Sequence, residues 1–323
     1  MKKSGYALFF LLAVFVAVTV VFLQKEPAAR QEYLVGVVNP NPGTQDIGRG
    51  FMDGLREYLH AEGKAVSFVL AEKPEACDVD QCLHTFVEKK TDLIFAVTTP
   101  AVKRAKDLTQ NSHIPVIFSM YDPVDSGIIK SLAQPGGSLT GIQIRAGVSK
   151  ALELFLAVVP EVKHLFIPIT LDTKAAEQSL DDLGRAAELL DVKLTVAEVN
   201  SLEELDAALA SMPEDVGGVF LLHSIFIAAN SEKIVEAATA KKLPVGASIS
   251  QCEKGAIAAF SLDQYHVGKQ ASRLAHRVLQ GEAAGDIPTE IAEYFFGINL
   301  KAAAILGIDI SNEILQQADY IVR

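Results

Sequence analysis

The chain has 323 residues, half of them apolar, with 29 basic and 40 acidic side chains and a formal net charge of -11. That length suffices for two medium α/β domains with sizeable cores. The acidic balance argues against a nucleic-acid binder, which needs a basic face to release counterions.

In chain order, Lys2 and Lys3 precede an apolar run at 6–23 that carries no charge. Such a run reads as an uncleaved N-terminal membrane anchor or as a secretory signal. It is long for a signal core, and no clean small-x-small cleavage site follows, which puts the anchor first. No cysteine stands near its end, so lipoprotein processing is not expected. The leading lysines keep the N-terminus cytoplasmic and place the body on the periplasmic or extracytoplasmic face of the cytoplasmic membrane. No second apolar run is long enough to span, so a permease is excluded.

Beyond Gln31, strand and helix patterns alternate. Strands are expected at 33–38, 66–70, 92–97, 115–120 and 139–142, then at 164–169, 193–199, 216–222, 244–246 and 256–262. Most are continuous Val/Ile/Leu/Phe runs, the pattern of strands buried on both faces of a parallel sheet. The helices between them are amphipathic, with Ile47, Phe51, Leu55 and Leu59 recurring on one face. Thr99-Pro100 reads as an N-cap with proline at the first helical position. Ser201-x-x-Glu204 reads as a capping box. The stretch 115–141 reads as a strand with Ser119, Tyr121 and Asp122 at its end, then a helix after Pro123, then Gly136-Gly137 and a further strand. Residues 264–279 form one more helix, 287–298 an extended piece, and 300–306 and 312–318 two short helices. The fold class is therefore α/β, with two doubly wound parallel-sheet lobes built from right-handed βαβ units.

Ligands of open parallel sheets bind outside the C-terminal strand ends. In the first lobe that rule selects Asn39 and Asn41, Thr98 and Thr99, and Ser119, Tyr121 and Asp122. In the second it selects Thr170, Asp172 and Thr173, then His223 and Ser224, then Ser248 and Ser250, while Asp263 heads the 264–279 helix. These are small hydroxyls, amides and acids beside helix N-termini, which hold carboxylates well. An acid such as Asp122 or Asp263 suits an ammonium, so the set fits a zwitterion or small polar solute. Singly, each has a plainer role. Thr99 and Asp122, each before a proline, read primarily as helix caps, Asp263 reads as the N-cap of its helix, and Asn39-Pro40-Asn41-Pro42 reads as a turn.

Catalytic signatures are missing: there is no G-x-S-x-G elbow, no phosphate-binding G-x-x-x-x-G-K-[ST] loop and no H-E-x-x-H. Gly48, Gly50 and Gly54 have the wrong spacing for a dinucleotide fingerprint and read as close packing of a helix on its sheet. No cofactor is expected. Cys77 and Cys82 lie five apart in CDVDQC. The spacing suits a small disulfide in an oxidising compartment or two thiols on one helix edge. Cys252 reads as a buried small hydrophobe, and a zinc site is not expected with only His84 close by.

Three regions resemble a known family. They are PVIFSMYDPVDSGIIKSLAQPGGSLTG at 115–141, GAIAAFSLDQYHVGKQASRLAHRVLQG at 255–281, and INLKAAAILGIDISNEILQQADYIV at the end. GFMDGLREY and DLIFAVTTP also fit. The chain from 33 to 323 is similar to the periplasmic-binding-protein-like solute receptors of bacterial ABC importers, some of which are associated with aromatic amino acids. The resemblance implies a type I arrangement, with Asn39, Thr98, Thr99, Asp122 and Asp263 as cleft positions and Ser119 and Tyr121 adjacent. It departs in the second lobe, at ITLDTKAAEQS and at His223-Ser224-Ile225-Phe226. It also supports a multi-crossing hinge near 141–145, 261–263 and 292–299. The domains are then 1–32 as signal or anchor with linker, 33–141 plus 262–290 as lobe one, and 142–261 plus 291–323 as lobe two.

The expected function is an extracytoplasmic solute-binding receptor of an ABC importer. Its lobes close on a small polar or amino-acid-like molecule, and its partner is an ABC permease in the membrane. A membrane-anchored ligand sensor with the same fold is the alternative, and an exported α/β enzyme a third.

Overall fold

In the computed structural model, the described residues are 32–70, 78–145, 147–171 and 173–323. The apolar run at 6–23, Cys77 and Asp172 lie outside them. Among the described residues no helix is long and apolar enough to cross a membrane.

The β-branched runs form two sheets. The first half of the chain gives β1 (Glu32–Val38), α1 (Gln45–Ala61), β2 (Ala65–Leu70), α2 (Val79–Glu88), β3 (Leu93–Val97), α3 (Thr99–Thr109), β4 (Val116–Tyr121) and β5 (Leu139–Ile144). The second half gives α4 (Val148–Val158), β6 (His164–Ile169), α5 (Lys174–Leu189), β7 (Lys193–Glu198), α6 (Leu202–Ala210), β8 (Gly218–Leu221), α7 (Ile225–Ala229), α8 (Ser231–Ala240), β9 (Val245–Ala247) and β10 (Ala258–Leu262). The tail adds α9 (Gln264–Leu279), β11 (Glu290–Ile291), β12 (Tyr294–Asn299), α10 (Leu300–Leu306), α11 (Asn312–Leu315) and β13 (Tyr320–Val322).

Sheet order is β11-β5-β4-β3-β1-β2 in lobe one and β13-β12-β10-β9-β8-β6-β7 in lobe two. All described pairings are parallel except β10 with β12, which runs antiparallel. Each sheet buries an apolar cluster on both faces. In lobe one, Phe51, Phe95 and Leu274 lie on one side and Phe86, Phe118 and Leu83 on the other. In lobe two, Phe155 and Phe220 are opposed by Val219, Leu205 and Ile234. Continuous apolar strands are the signature of this two-sided burial.

The chain passes between the sheets three times: after β5, between β10 and α9, and between β11 and β12. β5 runs to Ile144 within the first sheet, so the first passage starts later than the expected 141/142 boundary. Leu262 ends β10 in the second sheet and Ile291 ends β11 in the first, which moves the other two boundaries by a residue.

The structure corrects several local expectations. No helix follows Pro123. Asp122 has φ 43° and reverses the chain at the end of β4. The next residues form turns in which the N–H groups of Ile128 and Ile129 both donate to the Pro123 carbonyl. Lys106 Nζ then takes the carbonyls of Gly127 and Ile128, each at 2.9 Å. The apolar Ile128 and Ile129 still bury, but from a loop.

Residues 287–298 are divided between the two sheets, 312–318 shortens to a single turn, and β13 was not expected at all. Gly50 and Gly54 do not face the sheet. A Cβ on Gly50 would meet the Tyr265 carbonyl at 2.0 Å, and one on Gly54 would meet Ser272 Oγ at 2.2 Å. Both belong to a close crossing of α1 with α9, a helix more than two hundred positions away in sequence. The capping box at Ser201 does form. Ser201 Oγ accepts from the Glu204 N–H at 3.2 Å, and Glu204 accepts from the Asn200 N–H at 2.7 Å, one residue further out than the motif expects. Cys82 is disulfide-bonded, whereas Cys252 is a free thiol that burial pushes up to about 12.

Candidate functional site

The polar residues of the strand ends fall at the C-terminal edges of both sheets, as parallel architecture requires. Their local roles differ. After β1, the Asn39 side chain is committed to a turn. Its Nδ2 donates to the Thr44 carbonyl, and its Oδ1 accepts from Thr44 Oγ1, both at 2.7 Å. Asn41 Oδ1 accepts from the Gly43 N–H at 2.8 Å, which is the turn reading of Asn39-Pro40-Asn41-Pro42.

After β3, the expected N-cap at Thr99 moves one residue back. Thr99 is the first helical residue of α3, and Thr98 holds the N-cap position without a side-chain cap bond. Thr98 has φ 82° and ψ 147°, a region that is nearly glycine-only. Its N–H donates to the Ser119 carbonyl at 3.1 Å, which ties the strained residue to β4. Asp122, one strand over, also has positive φ. Strain of this kind costs about 1–3 kcal/mol per residue and persists where the surroundings enforce it, often at ligand clamps. Two strained non-glycine residues on neighbouring strand ends make this the most constrained stretch of the lobe-one edge.

Ser119 is buried, and its Oγ has no hydrogen-bond partner among the described residues. Tyr121 is 43% exposed. Desolvation of its hydroxyl, and secondarily the Asp122 charge, push its phenol above the ordinary value. Gln143 on β5 is 6% exposed and donates from Nε2 to Asp122 Oδ1 at 3.5 Å, a long bond that draws the carboxylate towards β5.

On lobe two, buried Thr170 donates to the Val199 carbonyl at 2.6 Å. Asp172 lies outside the described residues. Thr173 Oγ1 caps α5 through the Ala176 N–H at 3.2 Å, and Ser224 Oγ caps the one-turn α7 through the Ile227 N–H at 3.4 Å. His223 is exposed, Ser248 is half-buried with its hydroxyl on the Leu221 carbonyl at 3.4 Å, and Ser250 is exposed. Asp263 Oδ1 caps α9 through the His266 N–H at 2.9 Å. Thr173 and Asp263 are also exposed, so each keeps acceptor capacity towards solvent.

The three passages between the lobes meet at Tyr294. Its hydroxyl donates to the Arg145 carbonyl, and its ring stacks on Phe260 with centroids 5.3 Å apart. Burial, and next the proximity of Tyr121, raise the Tyr294 phenol strongly. Sequence reasoning missed Gln143, Arg145 and Tyr294. For the first two a signal existed. Gln143 and Arg145 break the apolar pattern of GIQIR two apart, the spacing of one strand face.

A groove of about 380 Å³ lies on lobe two, lined by Val235, Lys254, Asn299 and Lys301 among others. It sits beside the start of β10, at the sheet edge opposite the residues above. Among the described residues, no group of three or more His, Cys, Asp or Glu side chains is placed to hold a metal ion.

Comparison with known proteins gives a consistent picture. The family model described as ABC transporter substrate binding protein matches residues 35–322. A tyrosine-binding protein of Clostridioides difficile (strain R20291) is 26% identical over 77% of this chain and 72% of its own. Among solved structures, a Streptococcus pneumonia ABC domain in complex with L-Trp has a TM-score of 0.68 at 24% identity, covering 91% of this chain and all of the other. The ligand-free, open structure of a Clostridium difficile substrate binding protein with adhesive properties has a TM-score of 0.74 at 21% identity, covering 90% of this chain and 99% of the other. At those identities the two structures speak to the fold.

Proposed function

The chain belongs to the ABC transporter substrate binding protein family, and on that premise we propose that it is an extracytoplasmic receptor for an amino-acid-like solute. Substrate-binding proteins of this type work outside the cytoplasm and bind rather than convert their ligands. The observation that carries the solute reading is the lobe-one edge, where Thr98 and Asp122 hold positive φ on adjacent strands beside Tyr121. A strained polar edge on one sheet and a polar edge on the other, joined by three chain passages, suit a ligand clamp. The tyrosine-binding relative and the L-Trp-bound neighbour support an amino acid as the solute class.

The solute binds between Thr98, Thr99, Ser119, Tyr121 and Asp122 on one lobe and Asp172, Thr173, His223, Ser224 and Ser248 on the other. Asn39 shapes the wall, and Asp263 stands at the second passage. Lobe closure follows because contacts from both lobes exist only in the closed form, and that difference shifts the population. The closed form docks on a membrane permease for import. The apolar run at 6–23 exports or tethers the receptor.

The test uses the full-length chain, unfolded and refolded to strip any copurified ligand, then screened by thermal unfolding against amino acids, nucleosides and sugars. An amino acid at a hundred times its Kd should stabilise the folded state by about 2.7 kcal/mol. A flat response to every solute, with turnover of any of them, contradicts the receptor reading.

A further inference from the structure

Six arginines in the described residues sit on carboxylates. Arg49, Arg56, Arg104, Arg185, Arg273 and Arg277 each pair with an Asp or Glu. Arg145 is exposed and forms no ion pair among the described residues; Arg323, the C-terminal residue, is the other such arginine. Leaving an arginine fork open is common on a surface, but this one is placed with care. It is the first residue beyond β5, at the C-terminal edge of the lobe-one sheet. Its backbone is tied down, because its carbonyl accepts the Tyr294 hydroxyl and Tyr294 is stacked on Phe260.

The neighbouring strand end carries the opposite charge. In the β4–β5 register Met120 faces Gln143 and Tyr121 faces Ile144, so the next rung brings Asp122 and Arg145 to adjacent strand ends. They do not neutralise each other. Asp122 turns away at φ 43° and accepts from the buried Gln143 amide. Each is held by its own partner: Arg145 at its backbone carbonyl through Tyr294, Asp122 at its carboxylate through Gln143. An anion and a cation on neighbouring strand ends, not paired with each other and each with hydrogen-bonding capacity to spare, are complementary to a zwitterion. The planar arginine fork matches a carboxylate bidentately, and the aspartate takes an ammonium.

We propose that Arg145 is the carboxylate-binding residue of the solute site and Asp122 its ammonium partner, so that the solute is an α-amino acid recognised by its zwitterionic head. This rests on the receptor reading above and adds to it both a residue and a chemical requirement. A sugar or nucleoside, with no carboxylate, leaves Arg145 unused.

Calorimetric titration of the full-length chain tests this with L-tyrosine, L-tryptophan and L-leucine, each against its decarboxylated amine. The parent should prefer the amino acid. Arg145→Gln should weaken the amino acid by about tenfold to a hundredfold, the worth of a charge-assisted hydrogen-bonded pair, and leave the amine unchanged. Arg145→Lys should fall between, and Asp122→Asn should weaken both ligands. Because Arg145 is exposed, the unliganded Arg145→Gln chain should unfold at the parental midpoint. Unchanged amino-acid affinity in Arg145→Gln overturns the assignment. So does equal loss of acid and amine with a lowered midpoint, which marks a structural role. A parent that binds a sugar or nucleoside and no amino acid overturns the assignment while the receptor survives. A parent that binds no solute at all overturns both.

Discussion

Gly268→Val is expected to destabilise lobe one by about 3 kcal/mol, the upper end of the usual cost of overpacking, because the added side chain meets backbone rather than flexible atoms. A Cβ at Gly268 would lie 2.1 Å from the Ile47 carbonyl oxygen and 2.5 Å from the Phe51 nitrogen. Neither atom can move without displacing α1. On the other side of the crossing, Gly50 approaches the Tyr265 carbonyl just as closely. The two helices therefore meet glycine to backbone, and Phe51, Leu55, Val267, Ala271 and Leu274 fill the same apolar cluster beneath them. Since α9 follows β10 of the other sheet, this contact also fastens the second passage between the lobes. Denaturant unfolding followed by amide exchange should show α1 and α9 losing protection first, with α4 and β6 retained. Parental stability and parental protection in α9 would mean that the helix does not dock on lobe one.

Phe155→Ala is the corresponding test of lobe two, with an expected loss of about 3–5 kcal/mol for a buried aromatic truncated to alanine. Phe155 is 1% exposed and packs at 5.8 Å, centroid to centroid, against Phe220. Its ring lies directly over Gly246, where a Cβ would come within 2.4 Å of Phe155 Cγ. This contact makes the sign of a second substitution depend on the first. Gly246→Ala alone should destabilise by overpacking. In the Phe155→Ala background the same methyl enters the vacated space and should recover part of the loss. Additive effects of the two substitutions, measured by denaturant unfolding, would place the ring elsewhere.

Much of this architecture was legible in the residues because two-sided burial leaves an unmistakable pattern. LIFAV and HLFIPI are entirely buried as β3 and β6, as continuous apolar runs should be. Motifs that act within a few residues were also legible, such as the Ser201 box and the Asp263 cap. What failed was non-local. The glycines of α1 were assigned to the sheet because the periodicity of a helix shows its inner face but not which element covers it. The segment after Pro123 has helix-like apolar spacing, yet Asp122 turns the chain and Lys106 from another helix takes its carbonyls. β13 is three residues long and exists only because β12 is beside it.

The candidate site was legible only as a set of strand ends, for the same reason. Strand ends can be found from a pattern, so Thr98, Ser119, Tyr121 and Asp122 were selected. Whether a polar side chain is open or already occupied depends on partners the pattern does not name. Asn39 is used by Thr44, and Thr173, Ser224 and Asp263 cap their own helices. Arg145 was passed over because its break in the apolar pattern of GIQIR marks a residue leaving the core, not an arginine without a carboxylate partner. Its open fork means something only once the other arginines are seen to be paired.

Closure of the lobes on a solute is the central claim, and an interlobe distance measures it directly. Lys103 in the first turns of α3 and Glu177 in the first turn of α5 are both exposed and stand at the C-terminal edges of opposite sheets. Spin labels on Lys103→Cys and Glu177→Cys report the gap, and the buried Cys252 thiol, raised to about 12, stays unreactive. A saturating amino acid that stabilises the full-length chain should shorten the label distance and narrow its distribution. A distance unchanged by a solute that demonstrably binds would contradict closure and leave a receptor that does not clamp.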